Sequence, residues 1–269
     1  MGTERARVRR RRLWLAAGAL AAFAVGLVLG ARGGGGDEPP TAPQRARGPE
    51  ATATATPPPD PVDRLSLAQQ VGRMVILRFA GTEAPGYVRE ALRRRRVAGV
   101  ILFRDNVIDE TQVRSLTSDL RRASEDLEPL VCVDQEGGEV RILPLAPPER
   151  SAPEQVASGL VREDAVAAGH ALRAAGVNVT LAPVADLPTV GGAALAGRAF
   201  GESLDLVVPA VAEAIAGWHE AGVATTVKHF PGLGGATVNT DDGPATIDRT
   251  RSQLDDDLAP FQQAVGAGT

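Results

Sequence analysis

A chain of 269 residues that is 43% hydrophobic and carries a formal net charge of −4 can build a folded core, and its 3% aromatic content and acidic balance exclude the basic, aromatic-rich surface of a nucleic-acid binder. Its one cysteine, Cys132, excludes an intrachain disulfide and, set between Val131 and Val133, reads as a small buried strand residue. His170 and His219 fall in separate helical stretches without a second ligand at a recognised spacing, so neither a metal nor a cofactor is expected.

The N-terminus sets the expected compartment. Arg5, Arg7 and the run Arg9 to Arg12 precede an uncharged apolar stretch, 13–31, long enough to cross about 30 Å of hydrocarbon as a helix. The basic cluster, 1–12, stays cytoplasmic by the positive-inside rule, which places the rest of the chain outside, on a single-pass signal anchor in the cell membrane. Cleavage after Ala31, giving a secreted protein, is the alternative; the apolar run exceeds the usual signal-peptide core of roughly 7 to 15 residues. Without a cysteine near its end, the segment offers no thiol for a lipid. Residues 32–61, with Gly33 to Gly36 and Pro57 to Pro59 as extremes, hold almost nothing apolar enough to bury and read as a disordered tether.

From residue 62 the composition turns globular. An amphipathic stretch at Leu65–Val71 is followed by a strand at Met74–Phe79, a helix at Tyr87–Arg96 and a strand at Val97–Phe103. A helix over Thr111–Leu127 leads to a strand at Leu130–Val133, and one long helix over Ala152–Ala175 leads to a strand at Val177–Pro183. The last clear pair is a helix at Leu204–Ala221 and the strand Val223–Val227; Pro260-Phe261 and Ala264-Val265 resemble the start of another helix, within which the chain would end. Short continuous apolar runs separated by helices mark a parallel sheet covered on both faces. The expectation is an α/β fold, five βα units of a TIM-like (β/α)8 barrel.

Polar residues gather where these strands end, which is where a barrel keeps its chemistry. Lys228-His229-Phe230-Pro231-Gly232 places a cation and an imidazole before a turn. Asp134-Gln135-Glu136-Gly137-Gly138 offers acceptors for sugar hydroxyls beside glycines that let backbone approach a ligand. Ala182-Pro183-Val184-Ala185-Asp186 and Gly197-Arg198-Ala199-Phe200-Gly201 repeat the pattern. Each alone is also a plausible turn; the roles of Glu136 and Asp186 cannot be separated from turn formation.

Together with Gly99-Val100-Ile101-Leu102-Phe103, these motifs, in this order, resemble the N-terminal barrel of glycoside hydrolase family 3, in its bacterial β-N-acetylhexosaminidase branch. The resemblance covers residues 62–269. It implies a carbohydrate substrate, a terminal β-linked N-acetylglucosamine of cell-wall or surface glycans, cleaved with retention through a glycosyl-enzyme. Carried over by position, Asp134 would hold sugar hydroxyls, Arg198 would fix the sugar, and Lys228 and His229 would contact its hydroxyls.

The departures from that branch bear on mechanism. Its loop carries an Asp-x-His dyad whose histidine is the acid/base; the matching positions here are Asn239-Thr240-Asp241. Asp241 as general acid requires shielding from water or a neighbouring carboxylate such as Asp242; otherwise Asn239, Asp241 and Asp242 shape a polar turn. Glu139 and Ile142 stand where the family usually has arginines, with Arg141 one place early and, if the strand continues, on another face. Leu233 replaces a loop histidine. The family's nucleophile is an aspartate after a later strand and is not found in this chain, so residues 62–269 are expected to be inactive on β-N-acetylglucosaminides. A non-catalytic sugar-binding or scaffold protein on the same fold is the alternative.

Overall fold

The computed structural model describes residues 61–125 and 127–269. The expected basic segment, membrane anchor and nearly all of the tether lie outside them. Among the described residues no helix is long and apolar enough to cross a membrane.

After a 3-10 turn, Pro61–Arg64, the elements are α1 (Leu67–Gly72), β1 (Ile76–Arg78), α2 (Gly86–Arg93), β2 (Gly99–Ile101), α3 (Glu110–Ser124) and β3 (Leu130–Val133). There follow β4 (Gln135–Gly137), β5 (Val140–Arg141), α4 (Ala152–Ser158), α5 (Val161–Ala174), β6 (Val179–Thr180), α6 (Leu204–Glu220), β7 (Ala224–Thr225) and α7 (Arg251–Ala267). Strands β1, β2, β3, β6 and β7 form one sheet in that order, every neighbouring pair parallel. Strands aligned in sequence order with helices between them bring all five carboxyl ends to the same rim, as the βα reading requires.

The core lies between sheet and helices. Val100, Val131 and Val133 on the central strands, and Leu102 just past the end of β2, are fully buried. The stripe Val207, Val211, Ile215 and Trp218, spaced as helical neighbours, seats α6 against them. Each such side chain contributes about 2 kcal/mol by leaving water. Helices α5 and α6 approach closely because Gly217 has no side chain: a Cβ there would sit 2.5 Å from the Arg162 carbonyl oxygen. The edges differ from the centre. On β1 Ile76 is 39% exposed and the preceding Met74 85%, while beyond β7 Phe230 is 72% exposed with its ring edge-on to Phe261 at 5.6 Å.

Three expectations need correction. The long helix over 152–175 is two helices, broken where Gly159 adopts φ +68°, a left-handed conformation that ends α4. The motif 134–138, a strand end for which a simple turn was the open alternative, instead continues into the antiparallel hairpin β4–β5 over 135–141. The last helix begins at Arg251, capped by Thr250, and closes at Ala267 with Gly268 at φ +92°, so Pro260 and Phe261 lie in its second half. The sheet strands are also shorter than the apolar runs that predicted them, except β3, whose bounds coincide.

Candidate active site

The site begins where β3 runs out. Asp134 and Glu136 are two residues apart in extended backbone and face the same side, while Gln135 faces the other. Gln135 is fully buried; its Nε2 donates to the carbonyls of Leu143, Ala146 and Pro147 at 3.1, 3.0 and 3.0 Å, and its Oε1 accepts from the Leu143 N–H at 3.1 Å. The strand end is thereby tied to the loop beside it, which holds the two acids in place.

Glu136, only 4% exposed in its side chain, is the hub. Arg198 donates to it through Nε at 2.8 Å and Nη2 at 2.7 Å, a two-point clasp. Lys228 Nζ lies 2.6 Å from the same carboxylate and also bonds Asp134 Oδ1. Burial alone would push the Glu136 carboxyl up, but the hydrogen bond from Arg198 and the charge and hydrogen bond of Lys228 outweigh it and hold the group below its ordinary range. Its carboxylate in turn raises the Arg198 guanidinium. The Lys228 backbone is fixed too: its N–H donates to Pro183 at 3.2 Å and its carbonyl accepts from Ala185 at 2.7 Å, a parallel bridge extending the sheet beyond β6 and β7.

A second buried carboxylate arranges the next residue. Asp186, with no exposed side-chain surface, accepts from the His229 ring Nδ1 at 2.6 Å, from the His229 N–H at 3.1 Å and from the Leu233 N–H at 2.5 Å. A carboxylate only accepts, so Nδ1 carries the proton and Nε2 is the ring nitrogen left for a ligand.

These groups open on a cavity of about 1000 Å³, lined among others by Asp134, Arg198, Lys228, His229, Asn239 and Asp241. Asp241 is near enough for its charge to act on Arg198. Asp242 is not on the wall: it is exposed, and its N–H donates to the Asn239 carbonyl at 2.9 Å. The Asn239 side chain accepts from the Asp241 N–H at 3.2 Å, so it shapes the turn it belongs to. Glu139, Ile142 and Leu233 also line the cavity. Arg141 does not; it folds back onto the carbonyls of Gly138, Pro144 and Ala146 and supplies no cation to the wall. Cys132 is buried beneath, its thiol pushed up to about 11 by burial and by the charge of Asp134. Among the described residues no cluster of three or more His, Cys, Asp or Glu is placed to hold a metal ion.

Residues 66–269 match the glycosyl hydrolase family 3 N terminal domain. The chain belongs to this family. Proteins named beta-hexosaminidase from Stenotrophomonas maltophilia and Xanthomonas euvesicatoria pv. vesicatoria are 36% identical over 209 residues and 37% identical over 207, each match covering 72% of this chain and 61% of the relative. The chain thus spans about three-fifths of the length of the curated relatives it matches. Among solved structures, a family 3 beta-N-acetylglucosaminidase from a Paenibacillus species is 34% identical with a TM-score of 0.70, over 76% of this chain and 41% of that one. A beta-N-acetylhexosaminidase from Beutenbergia cavernae is 30% identical with a TM-score of 0.68, over 76% and 65%. The family 3 fold is a TIM-like α/β barrel, and the five parallel strands with their helices are part of one.

Within this family 3 domain the structure brings the sequence-predicted Asp134, Arg198, Lys228, His229, Asn239 and Asp241 to one cavity, while Asp242 lies in the adjoining turn. The sequence reading left out the hub function of Glu136 and the anchoring by Asp186. The available signal was spacing: an acid two residues beyond another at a strand end shares its face.

Proposed function

We propose that this chain carries the sugar-binding part of a membrane-tethered, extracytoplasmic glycosidase that removes terminal β-linked N-acetylglucosamine from cell-wall or surface glycans with retention, and that the predicted 13–31 segment is its anchor. The observation that carries the reading is the convergence, at the carboxyl rim of a parallel sheet, of Asp134, Arg198, Lys228 and His229 on one open cavity. Relatives named beta-hexosaminidase and beta-N-acetylglucosaminidase support the choice of sugar.

The chemistry follows from the free hydrogen-bonding positions. A polyol is oriented by charged donors and acceptors held in fixed geometry. Asp134 accepts from hydroxyls, the remaining N–H groups of Arg198 and Lys228 donate, and Nε2 of His229 faces the ligand as an acceptor. Because Glu136 and Asp186 hold the cations and the imidazole before the sugar arrives, little ordering accompanies binding. Asp241 is the group on the wall suited to exchanging a proton with a leaving oxygen.

Exposure of Asp241 at the position of the branch's acid/base histidine favours a second reading, sugar binding without catalysis. Saturable binding of N-acetylglucosamine, measured by calorimetry and lost in Lys228→Ala, is expected under both, and its absence overturns both. Turnover of a chromogenic β-N-acetylglucosaminide by a protein that joins this chain to a segment supplying the family's nucleophile, sensitive to Asp241→Asn, selects the hydrolase; full activity in that variant removes Asp241 from the mechanism.

A further inference from the structure

The loop that carries Asp241 is held at each end by a buried carboxylate. Its near end, 229–233, hangs on Asp186. Just past it the Ala236 carbonyl accepts from the Ala194 N–H at 2.9 Å, on the stretch that leads to Arg198. Its far end is Arg249, which gives Nε and Nη2 to Asp257 of α7 at 2.7 and 3.1 Å, both side chains nearly buried. The start of the loop also rests on this pair. At Gly232, φ +130°, a Cβ would stand 2.8 Å from Asp257 Cβ; at Gly235 one would stand 2.8 Å from Ile247 Cγ2 and 3.0 Å from Arg249 Nε and Cζ. The guanidinium is therefore wedged between α7 and the loop.

Between these supports, 237–248 is an arm. Among the described residues its hydrogen bonds are those of the turn 239–242, and none reaches 243–248. Thr240 lines the sugar cavity and also a second cavity of about 490 Å³, shared with Arg249, Leu254 and Asp257, so a cavity rather than packed side chains separates the arm from α7. With so little else to hold it, the arm stands where Arg249 is pinned.

We infer that the Arg249–Asp257 pair is the positioning strut of the cavity's outer wall, setting where Asn239, Thr240 and Asp241 stand before Arg198 and Lys228. Neither member of the pair lines the sugar cavity, so both act through the loop. A two-point guanidinium–carboxylate clasp suits the task because it fixes orientation as well as distance. The inference rests on the amino-sugar reading for its ligand alone.

The test is NMR and calorimetry of the full chain and two variants. In Arg249→Met, Asp257→Asn the clasp is gone but no buried charge is left alone, which limits the cost to folding. In Gly235→Ala the ion pair stays and a methyl group pushes loop and guanidinium apart. Both variants are expected to shift the amides of 239–241 before any ligand is added, while the His229 proton stays at Nδ1 because Asp186 is untouched. With the positioned arm populated about a tenth of the time, N-acetylglucosamine binds about tenfold more weakly. The response of 239–241 to the sugar shrinks, and that of Asp134 and Lys228 persists. Unchanged amides at 239–241 in the folded variants overturn the inference, since the pair then only stabilises the fold. So does a tautomer mixture at His229, which would mean that the whole rim has loosened. Should the double variant not fold, Gly235→Ala decides alone. Absence of saturable binding by the native chain overturns the amino-sugar reading, while the ligand-free spectra still decide this inference.

Discussion

The two sides of the cavity are built on opposite terms. Where β3, β6 and β7 end, Glu136, Arg198, Lys228, Asp186 and His229 are shielded or partly shielded and each charge meets a partner at hydrogen-bond distance. Across the opening, residues 239–242 form a turn whose hydrogen bonds run to its own backbone, and among the described residues the exposed Asp241 meets only the field of Arg198. The first side is fixed before a ligand arrives. The second can be changed at little cost to the fold.

Removing the hub should break the first side most severely. Glu136→Ala leaves Arg198 and Lys228 partly buried without their shared anion, and losing one member of such a pair costs about 3 to 5 kcal/mol. An unfolding free energy, read from a urea titration, that falls by less than about 1 kcal/mol would show the network to be solvated. Asp186→Asn is the next largest, about 1.5 to 3 kcal/mol, because a buried charged acceptor of three hydrogen bonds becomes a neutral amide. Nitrogen NMR of the His229 ring should show the proton at Nδ1 in the native chain and a tautomer mixture in the variant; an unchanged ring would sink the positioning role of Asp186.

The pH dependence of stability sharpens the contrast with a third region. The folded Glu136 carboxyl lies below its ordinary value, so its contribution is complete above the unfolded value, about 4.3, and is lost as pH falls through the folded one. Asp257, paired with Arg249 at 2.7 and 3.1 Å on α7, runs the other way. Burial raises it despite the Arg249 bond and charge, so its contribution is complete below about 3.9 and is lost as pH rises through the folded value. Unfolding midpoints measured from about pH 3 to about pH 7 should therefore lose part of their acid-side decline in Glu136→Gln and steepen in Asp257→Asn. The same change in both variants would contradict the assignment. Asp241→Asn should alter the unfolding free energy least, by less than about 0.5 kcal/mol, as an exposed loop substitution does; a larger loss, read by the same urea titration, would mean that the turn is part of the fold's support.

Much of this was legible because sequence and packing agreed. Leu130–Val133 is bounded by Pro129 and Asp134 and is buried along its inner length, so its apolar run and its strand coincide. The α6 stripe ended within one residue of its predicted end because Gly222 and the strand after it interrupt the pattern. Other features escaped for identifiable reasons. Gly159 sits inside a run of helix-forming residues, and periodicity does not register a single left-handed residue. Glu136 looks like any turn acid until Arg198 and Lys228, distant in sequence, are brought against it. The Arg249–Asp257 pair, both side chains nearly buried, folds the residue two places before α7 back onto the helix, eight residues along and outside any helical repeat.

The central claim is that one preorganised cavity binds a terminal amino sugar. An NMR titration of the isotope-labelled chain with N-acetylglucosamine tests it most directly. The account predicts saturable shifts centred on Asp134, Arg198, Lys228, His229 and Asp241, with little change at the buried Asp186. Shifts centred elsewhere, or none that saturate, would contradict it.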